Sequence, residues 1–112
     1  MTRFVVLYYA PKEAIEAIKD IPPEEAAEGM KAWADWAERC GPALIDMGTP
    51  LGNGMMVKQT GNAPSEKDIA GYSFLEAENI DAAMALLEGH PALGWGDNSA
   101  VEVHEAMPLP GM

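Results

Sequence analysis

Few side chains of this chain could do chemistry, and the two histidines, His90 and His104, come first. His90 stands in Gly89-His90-Pro91 at the end of a predicted helix. A partly exposed imidazole there would meet the negative end of the helix dipole, which favours its charged form. It either caps the last carbonyls of that helix or serves as an acid, base or anion contact at a pocket mouth. His104 has acidic neighbours on a predicted final strand and reads as a solvated or interface residue. Asp46 sits inside the apolar run Ala43-Leu44-Ile45-Asp46-Met47. A carboxylate in a short strand is unfavourable unless it points to solvent or faces a polar cleft, and the sequence leaves both open. Asp46 and His90 are the candidate acid/base pair.

The aromatic residues outline a pocket better than the acids do. Trp33 falls on the apolar stripe of a predicted helix, and Trp36 lies about 60° round that helix, at the stripe's edge. Tyr8 and Tyr72 come from two predicted strands. A tryptophan at a helix edge facing sheet tyrosines could line an apolar cleft with a few polar tips; the same residues could equally pack a core. Asp97, in a predicted loop, either caps a turn or binds a ligand.

Other chemistries find less support. Cys40 is the single cysteine, so neither a disulfide framework nor a cysteine zinc site can form within the chain. It lies on the apolar stripe and is expected to be a small buried hydrophobe. His90 and His104 together with an acid could bind a metal in principle, but two histidines fourteen residues apart are a very weak signal, and Gly-rich phosphate loops, HExxH and GxSxG are all missing. No metal or cofactor is expected. A net charge of -11 would repel the phosphates of nucleic acid or an anionic membrane. No apolar run approaches the roughly 18 residues of a membrane span, and no secretory leader is evident. A cytoplasmic protein is expected.

The elements that must position these residues follow from the pattern. Residues 1–112 form one domain, and with 48% hydrophobic residues the chain has material for one core. Arg3 to Tyr9 is a run of strand formers with both faces apolar, so it must be covered on both faces. Helices can cover one, and a second subunit is the economical cover for the other. Residues 11–20 suggest a turn or two of helix. Pro23 opens the main helix, whose stripe is Ala26, Met30, Trp33, Ala37 and Cys40, and Gly41-Pro42 closes it. Short strands are predicted over Ala43–Met47 and Met55–Thr60, the latter at an edge, with a polar loop from Gly61 to Lys67. A buried strand, Ile69–Ala77, leads through the N-cap Asn79 into a second helix burying Ala83, Met84 and Leu87. That helix stops at Gly89-His90-Pro91. Val101 and Val103 mark the last strand, and 107–112 form an extended tail laid on a surface. The order β-α-β-β-β-α-β, without the polar third strand, is the split β-α-β plan of a ferredoxin-like α+β protomer: an antiparallel sheet with two helices on one face.

Over nearly its whole length the chain resembles the YCII-related family of the dimeric α+β barrel superfamily. The resemblance is carried by RFVVLYY, the helix PPEE…MKAWADW, DMGTPLG, and AGYSFLEAENIDAAMALLEGHP followed by VEVHEAMPL. It implies protomers whose sheets pack face to face in a homodimer. Some members are proposed enzymes with a histidine-aspartate pair in a cleft, and one branch includes a dehydrochlorinase acting on a hydroxylated aromatic. Many relatives carry a histidine four residues before the first tryptophan of the main helix, where this chain has Gly29. Asp46 is similar to an acid found in relatives. The expected function is a small-molecule-binding dimer or an enzyme acting by acid/base chemistry on a small, possibly aromatic, organic substrate. The alternative is a non-catalytic dimerisation or accessory domain in which the aromatics serve only as core and interface.

Overall fold

A computed structural model of the chain describes residues 1–11, 13, 20–94 and 98–111. The helix expected over 11–20 and the loop residue Asp97 fall largely or wholly outside them. Among the described residues there are six strands: β1 (Thr2–Tyr9), β2 (Leu44–Asp46), β3 (Met55–Lys58), β4 (Gly61–Pro64), β5 (Ile69–Ala77) and β6 (Ala100–Glu105). The described helices of more than one turn are α1 (Pro23–Cys40) and α2 (Ile80–Leu86). Four strands form one antiparallel sheet in the order β2-β5-β1-β6. β5 lies between β2 and β1, and β1 between β5 and β6, so β1-α1-β2 and β5-α2-β6 are two interlocked split β-α-β units. This is the ferredoxin-like α+β fold that the sequence predicts.

Alternation along the central strands sorts the core. Phe4, Val6 and Tyr8 are buried, as are Ser73, Leu75 and Ala77, and they pack beneath Trp36, Cys40, Ala83 and Leu87. Val5, Leu7 and Tyr9 occupy the opposite face of β1 with Tyr72 and Phe74 of β5, and all five are only half-buried. The opening strand is therefore apolar on both faces and covered by its own chain on one.

Local signals set the helix ends. Pro23 begins α1, Glu24 and Glu25 occupy its first turn, and Gly41 at φ 57° ends it. The Asn79 side chain accepts a hydrogen bond from the Ala82 amide at 2.9 Å and so caps α2, satisfying a donor that has no partner within the helix. Three expectations are corrected. Met30 and Met84, assigned to buried stripes, are 59% and 54% exposed: the core lies against the second half of α1, at Trp36 and Cys40, and α2 turns Ala83 rather than Met84 toward it. Residues 61–64, expected to be loop, form β4, because backbone pairing with β3 makes a strand of a segment with little strand propensity. Finally, among the described strands β3 lies outside the main sheet and pairs only with β4 in a separate hairpin. The tail is exposed, Met107 at 72% and Leu109 at 66%.

Candidate functional site

α1 grips the end of α2 with two side chains three residues apart. The Trp36 indole Nε1–H donates to the Leu86 carbonyl at 2.8 Å, and Arg39 Nη2 donates to the Glu88 carbonyl at 2.8 Å. These are carbonyls that a helix end leaves without an internal donor, so both bonds fix α1 against α2. Gly89 then takes a left-handed turn, φ 68°, the conformation glycine adopts at little cost. The turn directs His90 inward.

His90 is 2% exposed, which corrects the expectation of a partly exposed imidazole. Its ring stacks on Tyr8 (centroids 4.7 Å apart, planes 28°). It meets Trp33 at 4.6 Å and Trp36 at 4.4 Å in edge-to-face arrangements. Trp33 also lies edge-to-face with Tyr8, 5.1 Å away. One imidazole thus sits in a cage of three aromatic rings drawn from β1 and α1. Its charge state reverses too. Burial among apolar rings, reinforced by the nearby Arg39 cation, lowers the His90 pKa from 6.5 to about 4, so the ring is neutral at pH 7.

The position of the proton follows from the hydrogen bonds. The Ala92 amide donates to His90 Nδ1 at 2.9 Å, so Nδ1 must be the unprotonated nitrogen and Nε2 carries the hydrogen. The imidazole side chain therefore caps the 3-10 turn Pro91–Gly94 rather than the carbonyls of α2. Nε2–H is buried and has no hydrogen-bond partner among the described residues. The rings around it offer only weak π acceptors.

Beside this cage opens a groove of about 380 Å³ lined by Ala32, Asp35, Trp36, Arg39, Gly89 and Pro91. It shares Trp36 with the cage, and its lining brackets His90 in sequence. Among the described residues no three His, Cys, Asp or Glu side chains cluster to hold a metal ion. No described helix is long and apolar enough to cross a membrane.

Behind the cage runs a directional chain of hydrogen bonds. The Ser73 hydroxyl donates to the Met47 carbonyl at 2.6 Å, which leaves its oxygen to accept the Tyr8 phenol proton, also at 2.6 Å. Burial pushes the Tyr8 pKa up to about 12 despite the Ser73 bond, so the phenol stays protonated. Asp46 joins this chain indirectly. It is exposed, and its Oδ1 accepts the Gly48 amide at 2.9 Å, forming the turn that presents the Met47 carbonyl. Gly48 is required there: φ is 78°, and a Cβ would lie 1.8 Å from the Tyr72 carbonyl oxygen.

Of the six residues singled out by sequence, Tyr8, Trp33, Trp36 and His90 come together. Asp46 lies outside the cage, and Tyr72 sits on the opposite sheet face against Phe74, ring centroids 5.6 Å apart. The two tryptophans exchange the places expected of them: Trp36 is buried at 2% and Trp33 is half-buried, because the Trp36 indole reaches Leu86. Cys40 is buried as expected, and burial raises its thiol pKa. Sequence reasoning passed over Ser73 and Arg39. Ser73 was detectable as the one serine of β5, in register with the core-facing Leu75 and Ala77, and Arg39 as the cation one helical turn beyond Trp36. Gly29 lies one turn before Trp33 with nothing within 4 Å of where a Cβ would be.

No protein-family model matches the chain, and a search of curated proteins finds no match. Among solved structures it is similar to 5-chloro-2-hydroxyhydroquinone dehydrochlorinase from Burkholderia phenoliruptrix AC1100, determined in complex with 2,5-dihydroxybenzoquinone. The TM-score is 0.52 and the identity 16%, over 89% of this chain and 90% of that one. At that identity the likeness is one of fold alone, the ferredoxin-like α+β arrangement described above.

Proposed function

We propose that this protein is a YCII-related homodimer that binds a small, planar, oxygen-bearing organic molecule beside His90 and acts on it by acid/base chemistry. The observation that carries the reading is the buried His90 Nε2–H, a donor held in an aromatic cage without a hydrogen-bond partner among the described residues. A buried donor left unpaired costs about 1–3 kcal/mol; His90 does not itself line the adjoining groove, so a ligand oxygen would recover that cost only where Gly89 and Pro91 part to let it reach Nε2. A neutral imidazole is suited to polarising a carbonyl or stabilising the oxyanion that forms from it, since it donates without first releasing a full charge. Trp36 contributes an apolar edge to the groove lining. Arg39 offers a positive charge to a carboxylate or phenolate in a chain that is otherwise strongly acidic. Asp46 serves here through its turn, which orients Met47, Ser73 and hence the Tyr8 hydroxyl. The quinone held by the structurally similar dehydrochlorinase belongs to the same ligand class.

The half-buried face of Val5, Leu7, Tyr9, Tyr72 and Phe74 supports the dimer, because a second sheet packed against it would complete the burial of β1. The alternative, a non-catalytic dimerisation domain, draws on the near-complete burial of Tyr8 and Trp36, which suits plain core packing.

Titration with 2,5-dihydroxybenzoquinone, followed by quenching of tryptophan fluorescence, separates the two readings. Saturable binding that weakens at least tenfold in both His90→Leu and Arg39→Ala, each checked for native circular dichroism, supports the binding site. Absence of saturation up to millimolar ligand, or variants that bind like wild type, leaves the accessory-domain reading. Light scattering at micromolar concentration tests the dimer, and a monomer mass refutes it.

A further inference from the structure

We propose that the β3–β4 hairpin is an arm by which two copies of this chain hold each other, β3 against β3 across a two-fold axis. The inference rests on the homodimer reading above and adds a second contact, separate from the open sheet face.

Among the described residues the hairpin pairs with no other strand of its own chain. At its base the Leu51 amide donates to the Ala70 carbonyl at 2.9 Å, the Ser65 amide donates to the Gly54 carbonyl at 2.8 Å, and a single bridge joins Pro50 to Gly71. With this hairpin and the exposed tail the chain is spread out. Its radius of gyration is 15.5 Å, with extents of 47 × 44 × 21 Å, whereas a compact domain of roughly this length has about 13 Å. An isolated two-stranded hairpin is marginal in water, and this one has an uncovered β3 edge.

Its surface is also the wrong kind to leave in water. Met55 is 60% exposed and Val57 is 75% exposed, and near the base Met47 and Leu51 are 37% and 39% exposed. Methionine suits an adaptable contact.

Charge selects the occupant. Residues 47–65 contain no acid and one base, Lys58, in a chain with 18 acids and 7 bases. Two copies repel each other over most of their surfaces, and least where both present this segment. A basic partner would be drawn to the acidic body instead, and an acidic one would find a single lysine. A second copy brings the same acid-free apolar edge, as an isologous two-fold contact requires. Approach of β3 to its twin would pair the free backbone groups of Met55 to Lys58 and cover Met55 and Val57.

Sedimentation equilibrium on full-length wild type, Met55→Asp, Val57→Asp and Val57→Ile tests this, with urea unfolding to confirm that each variant is folded. The expected result is a wild-type dimer whose Kd rises at least tenfold in both aspartate variants and is retained in Val57→Ile. Aspartate variants that dimerise like wild type overturn the arm and leave the sheet-face dimer standing. A monomeric wild type, including one that binds an unrelated protein through the hairpin, overturns both.

Discussion

Replacing His90 by leucine should make the pH dependence of folding shallower by an amount set by the burial of the imidazole. In the folded protein His90 takes up a proton only near pH 4, against 6.5 for the unperturbed group. Between those values the unfolded chain binds the proton and the folded one does not, so stability is full above about pH 6.5 and falls as pH drops toward 4. At about 1.4 kcal/mol per pH unit, the wild type should lose about 2 kcal/mol by pH 5 and on the order of 3 kcal/mol near pH 4 from this group alone. Leucine fits an apolar cage and does not titrate. It forfeits the Ala92 hydrogen bond, about 1 kcal/mol, but also removes a buried donor with no described partner, and neither effect depends on pH. The many carboxylates titrate in the same range, so the informative quantity is wild type minus variant, in which they cancel. Urea unfolding at fixed protein concentration from pH 8 to pH 4 gives that difference directly. The variant should gain on the wild type by about 2 kcal/mol on going from pH 7.5 to pH 5. Parallel profiles would refute a neutral, buried His90 and with it the reasoning about its Nε2–H.

Three further outcomes follow from particular contacts. Ser73→Ala removes both the acceptor of the Tyr8 phenol and the donor to Met47, and should cost about 1–3 kcal/mol in urea unfolding; a double-mutant cycle with Tyr8→Phe should show coupling rather than additivity. Gly48→Ala places a methyl group against the Tyr72 carbonyl at φ 78°, and should cost several kcal/mol, read as a large fall in thermal midpoint or loss of soluble protein. Asn79→Ala removes the cap of α2 and should cost about 1 kcal/mol by the same unfolding measurement.

Much of this architecture is written in short-range patterns. RFVVLYY alternates between two apolar faces, Pro23 and Gly41 delimit α1, Asn79 caps α2 and Gly89 turns the chain after it, so each is fixed by residues within a few positions. These signals suffice for the order of the elements in the main sheet and its helices, and hence for the ferredoxin-like plan. Tyr8, Trp33, Trp36 and His90 were also recognisable as candidates, because aromatics and histidines on core-facing elements are few. What short-range pattern does not carry is the rotation of an element against a distant one. Which tryptophan turns inward is decided by a hydrogen bond from Trp36 to Leu86, 50 residues away. Whether His90 is a charged cap or a neutral buried donor depends on Tyr8, Trp33 and Trp36 closing around it, which only packing accomplishes. The β3–β4 hairpin was half-visible for a related reason: Gly61 to Pro64 has little strand propensity and becomes a strand only where β3 supplies hydrogen-bond partners. Sequence determined the elements and the candidates, since both depend on local chemistry; tertiary structure decided burial, protonation and partnership, since each is a property of residues far apart in the chain brought into contact.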